Sequence, residues 1–284
     1  MPTDQPHTAT RIAAALRRTL PVVAVLIALL CLWEGARLAF AIPAQRLPPL
    51  SAIVETMLTR TQGGNGPLLI AQMLVNAWAT FQVALGGFLL GTLLGCALAL
   101  LFLQVSTLER GLLPYVVGSQ MVPILALAPM VVVGLGRAGA PPWVARMVVV
   151  AYLTFFPVTV GMLRGLRAAS PDSLALMRSY AAGPWQTIWK LRLPMALPYL
   201  FTALKIAASA SVIGAIVAEL PSGAREGIGM MILTAAQFYN SRPPALFLAI
   251  LVAGLLGVFC YSLVALAERL VVGGPRRRHA RGAE

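Results

Sequence analysis

Charge, histidine and lysine are what this chain has least of. Of its 284 residues 11% are charged and 59% hydrophobic, whereas an ordinary soluble domain is about 25% charged and 45–50% apolar. A water-soluble globule built this way would lack the polar surface to cover itself. With a mean hydropathy of +0.83, the composition excludes a soluble protein and leaves an integral membrane one. The two histidines, His7 and His279, lie in polar tails, which excludes histidine-based catalysis and histidine metal sites. Cys31, Cys96 and Cys260 each stand alone in an apolar stretch, so neither a disulfide framework nor a metal knuckle is expected. A phosphate-cradling P-loop needs glycines ahead of a lysine and a hydroxyl residue. The only lysines are Lys190, after Trp189, and Lys205, after Leu204; neither fits, so the chain is expected to bind no ATP itself.

What the chain has in quantity is apolar runs and arginine. About 20 apolar residues cross a bilayer as a helix, and six such stretches are present: Thr19–Phe40, Pro67–Leu103, Leu112–Gly136, Trp143–Leu163, Tyr199–Leu220 and Ala245–Val271. The first follows a basic tail but is too long for a signal sequence. The second is helical in pattern for about 55 Å at 1.5 Å per residue, longer than the ~30 Å hydrocarbon core. It is therefore expected to start outside the bilayer and enter near Trp78. Between the first two lie Pro43, Pro48, Pro49 and Gly63-Gly64-Asn65-Gly66, which is loop chemistry. The division is a tail (1–18), a first span with its loop (19–44), a five-span core (45–271) and a basic tail (272–284).

Lys and Arg number 22 against 9 Asp and Glu, a net charge of +13. In a membrane chain such an excess marks cytoplasmic loops, and a nucleic-acid partner is not expected. The N-tail, the Arg110 loop, Arg164–Arg192 and the C-tail together with Arg269 just before it hold fourteen basic residues; Arg37, Arg46, Arg60, Arg137, Arg225 and Arg242 make six on the other face. Both termini are predicted to be cytoplasmic, with Trp33, Trp78 and Trp143 at outer span ends.

Between spans four and five, Ser170–Pro198 is polar enough to lie outside the bilayer and too patterned for a linker. Ser170 then Pro171, with Asp172 behind them, is a helix start, predicting a short helix to about Tyr180. Ala182-Gly183-Pro184 breaks the chain. A second short helix from Trp185 to about Leu193 puts Trp185 and Trp189 on one face, and Pro194 is expected to end it. Five basic residues, Arg164, Arg167, Arg178, Lys190 and Arg192, lie in or just before this hairpin. Its periodicity fits either a docking arm for a soluble partner or an amphipathic element lying on anionic lipid.

The segment resembles the cytoplasmic EAA loop of binding-protein-dependent ABC importer permeases. Trp185-Gln186 and Leu193-Pro194 match it. Upstream it departs: Ala175 stands at the glutamate position, Leu176 and Met177 at the two alanines, and Ala181 at the glycine. Arg46-Leu47-Pro48, the run Pro123 to Pro129, Phe155-Phe156-Pro157, and Leu204-Lys205-Ile206 running to Ala218-Glu219 resemble the nitrate/sulfonate/taurine (or pyrimidine-precursor) branch. The resemblance covers about residues 45–270. It implies an all-α integral membrane protein of the type I importer permease fold in the inner (plasma) membrane, with about six transmembrane helices and a cytoplasmic coupling hairpin. It implies no enzyme and no cofactor of its own, and a path for a small sulfonate-, taurine-, nitrate- or pyrimidine-like solute. The implied partners are ABC ATPase subunits, an extracytoplasmic solute-binding protein, membrane lipid, and a second permease subunit, identical or related. The coupling loop is then Ser170, Pro171, Asp172, Ala175, Ala181, Gly183, Trp185, Gln186, Trp189, Leu193 and Pro194.

Polar and irregular residues inside the spans are candidates for the translocation path. Pro123 and Pro129 each remove a backbone donor and are expected to kink or interrupt the third span, with Ser119 and Gln120 about one turn earlier. Glu219 ends the fifth span, where a carboxylate is a functional suspect; the bland reading is that it is hydrated or paired with Arg225. Lys205 is expected to reach for the headgroups. Small residues Ala207, Ala208, Ser209, Ala210, Ser211, Gly214 and Ala215, and Gly86, Gly87, Gly91 and Gly95, give spans five and two closely approachable faces. The loop Pro221–Pro244 carries an apolar run, Met230–Ala236, able to form a short re-entrant or surface helix. A self-sufficient secondary transporter or channel would need charged residues deep in the spans, and only span-end candidates exist. An intramembrane enzyme would need a nucleophile–base pair, and none is present.

Overall fold

The computed structural model describes residues 8–61 and 64–273. His7, His279, Gly63, the first seven residues of the N-tail and residues 274–284 of the basic tail lie outside them. Among the described residues no sheet forms, and one isolated bridge joins Arg60 and Leu68. The helices are α1 (Thr8–Ala39), α2 (Leu50–Met57), α3 (Leu69–Gln104), α4 (Ser106–Ser119), α5 (Ile124–Arg137), α6 (Pro142–Leu166), α7 (Pro171–Ser179), α8 (Pro184–Thr187), α9 (Leu193–Glu219), α10 (Ile228–Gln237) and α11 (Pro243–Val271). Four runs are long and apolar enough to cross a membrane: α3, α6, the run Pro184–Ser222 that contains α9, and α11; α4 and α5 taken as one bent pair make five. The remaining expected span, Thr19–Phe40, coincides with the larger part of α1. The side chains of α1 from Val23 to Leu32 touch little else in the chain. Its far end docks through Trp33, whose indole N–H donates to Pro48 O (3.1 Å) and whose ring meets Phe247 edge-on at 5.5 Å.

The helix α6 is the centre of the bundle, and glycine is the reason. Gly87, Gly91 and Gly95 form an i, i+4 stripe on α3, and a methyl added at any of them would lie under 3.0 Å from Val150, Thr154 or Phe155 of α6. On the other side of α6, Gly161 faces Ala203 and Gly165 faces Ala196 of α9. Lipid is as apolar as a side chain, so helices associate through such close approach, and the expected small-residue faces of spans two and five are used in this way. The main core cluster then gathers α3, α9, α10 and α11 around Val83, Ala84, Val212, Ala215, Ile228 and Leu248.

The expected interruption of the third span falls at one of its two prolines: α4 and α5 meet at 100° across Gln120–Pro123. Pro123 cannot donate and disfavours helix at Val122. Pro129, in contrast, sits inside α5 without breaking it, held by the packing of Ala128 and Val132 on Ala145, Val149 and Ala218. Nor does Pro194 end the arm. The chain continues from α8 through a π-helical turn, Ile188–Arg192, into α9. In that turn Leu193 N–H reaches back five residues to Ile188 O, a widening that accommodates the proline that follows. Finally, Lys205 does not snorkel: its ammonium pairs with Glu268 of α11 at 2.9 Å.

Candidate functional site

The arm leaves the bundle at the end of α6 and returns at the start of α9. Ser170 caps α7, its hydroxyl oxygen accepting the Ser173 N–H at 3.2 Å. Pro171 fills the first helical position and Asp172 places a negative charge in the first turn, where the helix dipole favours it. The helix stops in a Schellman geometry. Ala181 N–H bonds Arg178 O (2.9 Å) and Ala182 N–H bonds Met177 O (3.0 Å), with Ala181 itself left-handed at φ +53°. Glycine is the residue normally found at that position. Gly183 then opens α8: its N–H donates to Gln186 Oε1 at 3.3 Å, and Pro184 takes the first helical position.

One face of the arm holds on to the bundle and the other is bare. Ile188 is buried, and the Arg192 guanidinium donates to Leu166 O (3.0 Å), the last residue of α6. Trp185 and Trp189 are 60% and 63% exposed, with Leu176 and Tyr180 exposed beside them. Behind the arm a cavity of about 600 Å³ is bounded by Leu103 and Gln104 of α3, Arg178 and Arg192. Pro171, Asp172 and Ala175 thus stand exposed on the first helix with Ser170 at its cap; Trp185 and Gln186 stand exposed on α8 with Gly183 at its cap, and Trp189 stands exposed in the π-helical turn that follows. Leu193 and Pro194 belong to the rod that follows.

The broken span forms a second, separate feature. Ser119 closes α4, its hydroxyl donating to Val116 O (2.7 Å), while its carbonyl accepts from the Tyr152 hydroxyl of α6. Gln120 Nε2 is shut off from solvent without a partner among the described residues. Around the break Tyr115, Met121, Leu125 and Met130 are bare. Arg167 at the end of α6 pairs with Glu109 of α4, fixing the start of this bent pair.

Glu219 is neither hydrated nor paired with Arg225. It is fully buried, at the bundle end opposite the arm. Thr80 Oγ1 of α3 donates to its Oε1 (2.7 Å), and Gly229 N–H donates to its Oε2 (2.7 Å). Thr80 Oγ1 also accepts Ile228 N–H, and Asn76 Oδ1 accepts Gly227 N–H, each at 2.8 Å. No bond links Glu219 to Ser119 or Gln120. The sequence reading missed Asn76 and Thr80; Gln72, Asn76 and Thr80 at successive four-residue spacings on one face of a long apolar run were the available signal.

Comparison with known proteins places this architecture. Residues 87–272 match the family of binding-protein-dependent transport system inner membrane components. The chain is 29% identical over 253 residues to the riboflavin transport system permease protein RibX of Chloroflexus aurantiacus, covering 89% of this chain and 88% of that one. It is 32% identical over 194 residues to the formylaminopyrimidine transport permease protein ThiX of Halalkalibacterium halodurans, covering 68% and 75%. The fold resembles that of a chain in the crystal structure of an amino acid ABC transporter, with a TM-score of 0.57 at 18% identity over 70% of this chain and 94% of the other. A family match over most of the bundle, on a chain with no phosphate-binding loop, leaves one assignment: this protein belongs to the binding-protein-dependent inner membrane components and is the multi-pass permease subunit of an ATP-driven ABC importer, a transport subunit that works with a separate ATPase and a solute-binding protein.

Proposed function

We propose that the α7–α8 arm is the surface on which the ATPase docks, and that the rod Pro184–Ser222 carries its stroke across the membrane. The observation that carries this reading is the arm's construction. Two tryptophans stand bare on an element whose opposite face is bonded to the end of α6 and continuous with a span. Bare aromatics on a rigid mount are what an interface anchor requires. Asp172 and Ser170 set the first helix, Ala181 and Gly183 the turn, Gln186 the second start, and Leu193 with Pro194 the passage into the rod. Ala175 lies on the exposed side of α7, where the family's glutamate would stand.

On this reading the arm and both termini are cytoplasmic, in keeping with fourteen basic residues against six. A second permease subunit covers the bare side of α4 and α5, because Tyr115, Met121, Leu125 and Met130 form an apolar face beside an unsatisfied Gln120 amide. Ser119, Gln120 and Pro123 at the break then line the path between the two subunits, with Pro129 shaping the helix that follows; broken helices are tolerated where they face protein or a watery cavity. Glu219 belongs to the far end of the same rod. Lipid meets the bare apolar faces of α1, α3 and α11, among them Leu26, Leu93 and Leu255. The solute is a nitrogen heteroaromatic, the chemistry shared by riboflavin and formylaminopyrimidine in the names of two relatives.

The test is a Trp185→Ala/Trp189→Ala variant co-produced with the cognate ATPase. Membrane insertion is expected to persist while ATPase co-purification and transport-linked hydrolysis fall at least tenfold. Unchanged hydrolysis and co-purification would overturn the docking assignment.

A further inference from the structure

The first turn of α10 is satisfied in an unusual way. A helix start leaves backbone N–H groups without intrahelical partners, and a neighbouring side chain ordinarily caps one of them. Here three consecutive N–H groups, of Gly227, Ile228 and Gly229, are taken by Asn76, Thr80 and Glu219. Two of these side chains come from α3 and one from the end of α9, and all three are buried to at least nine-tenths. Thr80 ties them together, accepting from Ile228 and donating to Glu219.

The backbone is shaped to fit this arrangement. Gly227 has φ +130°, and a methyl there would lie 2.3 Å from the Glu219 carboxyl carbon; one at Gly229 would lie 2.7 Å from its Oε2. The link between α9 and α10 is short and bends at Gly223, with φ +60°. Ser222 Oγ donates to Glu219 O (2.7 Å) and accepts Ala224 N–H (3.3 Å), so the turn is fastened to the residue that holds the helix. At its other end α9 is continuous with the arm, a helical run of 39 residues from Pro184 to Ser222, about 58 Å long at 1.5 Å per residue.

We propose that Glu219 and Thr80 are positioning residues that latch α10 to the α9 rod, so that α10, on the membrane face opposite the ATPase, moves with the arm during the transport cycle. This rests on the arm being the ATPase dock. Neither residue needs to touch solute. Their part is to keep rigid the one joint at which displacement of α9 would otherwise be lost in the glycine-rich turn Gly223–Gly227, since a coupled motion requires an element with defined alternative positions and no slack between its parts.

The test uses the assembled permease–ATPase complex in lipid, with Cys31, Cys96 and Cys260 replaced and a single reporter, Met231→Cys, on the half-buried side of α10. Its labelling by a membrane-impermeant maleimide is timed without nucleotide and with ATP and vanadate. With the latch intact the two rates are expected to differ at least threefold. Thr80→Val keeps the side chain's shape but leaves Ile228 N–H and Glu219 Oε1 without partners. It is expected to hydrolyse ATP as before and to label at one rate in both states, while Thr80→Ser restores the difference. Should Thr80→Val fail to assemble, Glu219→Gln, which keeps the size and loses one acceptor, is expected to shrink the difference in the same way. A nucleotide-dependent difference that survives Thr80→Val, or is absent with the latch intact, would overturn the latch. A complex whose arm variants hydrolyse normally would instead overturn the docking assignment beneath it.

Discussion

Replacing Gly91 by alanine probes the contact on which the bundle depends. The new methyl would lie 1.9 Å from Thr154 Oγ1 and 2.8 Å from Ala151 O, the latter about 0.7 Å inside an ordinary contact of ~3.5 Å. Thr154 cannot simply turn away. It is fully buried, and its hydroxyl donates to Val150 O at 3.1 Å, so rotation would orphan a buried polar group at about 1–3 kcal/mol. Parting the helices instead costs about 2–3 kcal/mol, the upper part of the overpacking range, because backbone as well as side chain stands in the way. Alanine returns up to about 1 kcal/mol in helix propensity, leaving a net loss of about 1–2 kcal/mol. At about 2–4 °C per kcal/mol for a chain of this size, the melting temperature in detergent is expected to fall by about 2–8 °C. Gly254→Ala on α11, where a methyl meets nothing within 4 Å, is expected to leave it unchanged or raise it. A Gly91→Ala protein that melts with or above the parent, or a Gly254→Ala protein that falls as far, would refute the close-packing argument.

Two backbone predictions follow from positive φ angles. Ala181→Gly relieves a left-handed alanine, a conformation that costs an L-residue about 1–2 kcal/mol; tighter binding of the ATPase to the permease in a pull-down titration is expected, and weaker binding would contradict the turn. Gly227→Ala combines φ +130° with a methyl 2.3 Å from the Glu219 carboxyl, and is expected to expose α10 to limited proteolysis while the arm stays intact; an unchanged digestion pattern would contradict it.

Much of the fold was legible because its signals are local. Span two was read as Pro67–Leu103 and folds as Leu69–Gln104, since a long, mainly apolar run that opens just after Gly66 and Pro67 and holds no proline or charge leaves little choice. Ser170-Pro171 announced α7 for the same reason, and the run at Met230–Ala236 is the body of α10. What was not legible depends on direction or on distance along the chain. Apolarity counts residues but does not give their heading, so Pro123 and Pro129 both marked an interruption of the third span, and only the coordinates show a 100° turn at Gln120–Pro123 and an unbroken helix at Pro129. Pro194 looked like a terminator because the widened turn that admits it has no marker of its own. Glu219 was matched with Arg225, six residues on, when its partner Thr80 lies 139 residues away. The arm's candidate residues were named by resemblance alone, and the left-handed state of Ala181 needed coordinates.

The most direct measurement places a photoreactive amino acid at Trp189, in the full complex with ATPase, binding protein and lipid. The account predicts a light-dependent adduct between this permease and the ATPase, abolished when the ATPase is omitted. An adduct confined to lipid or to the binding protein, with the ATPase present and active, would contradict it.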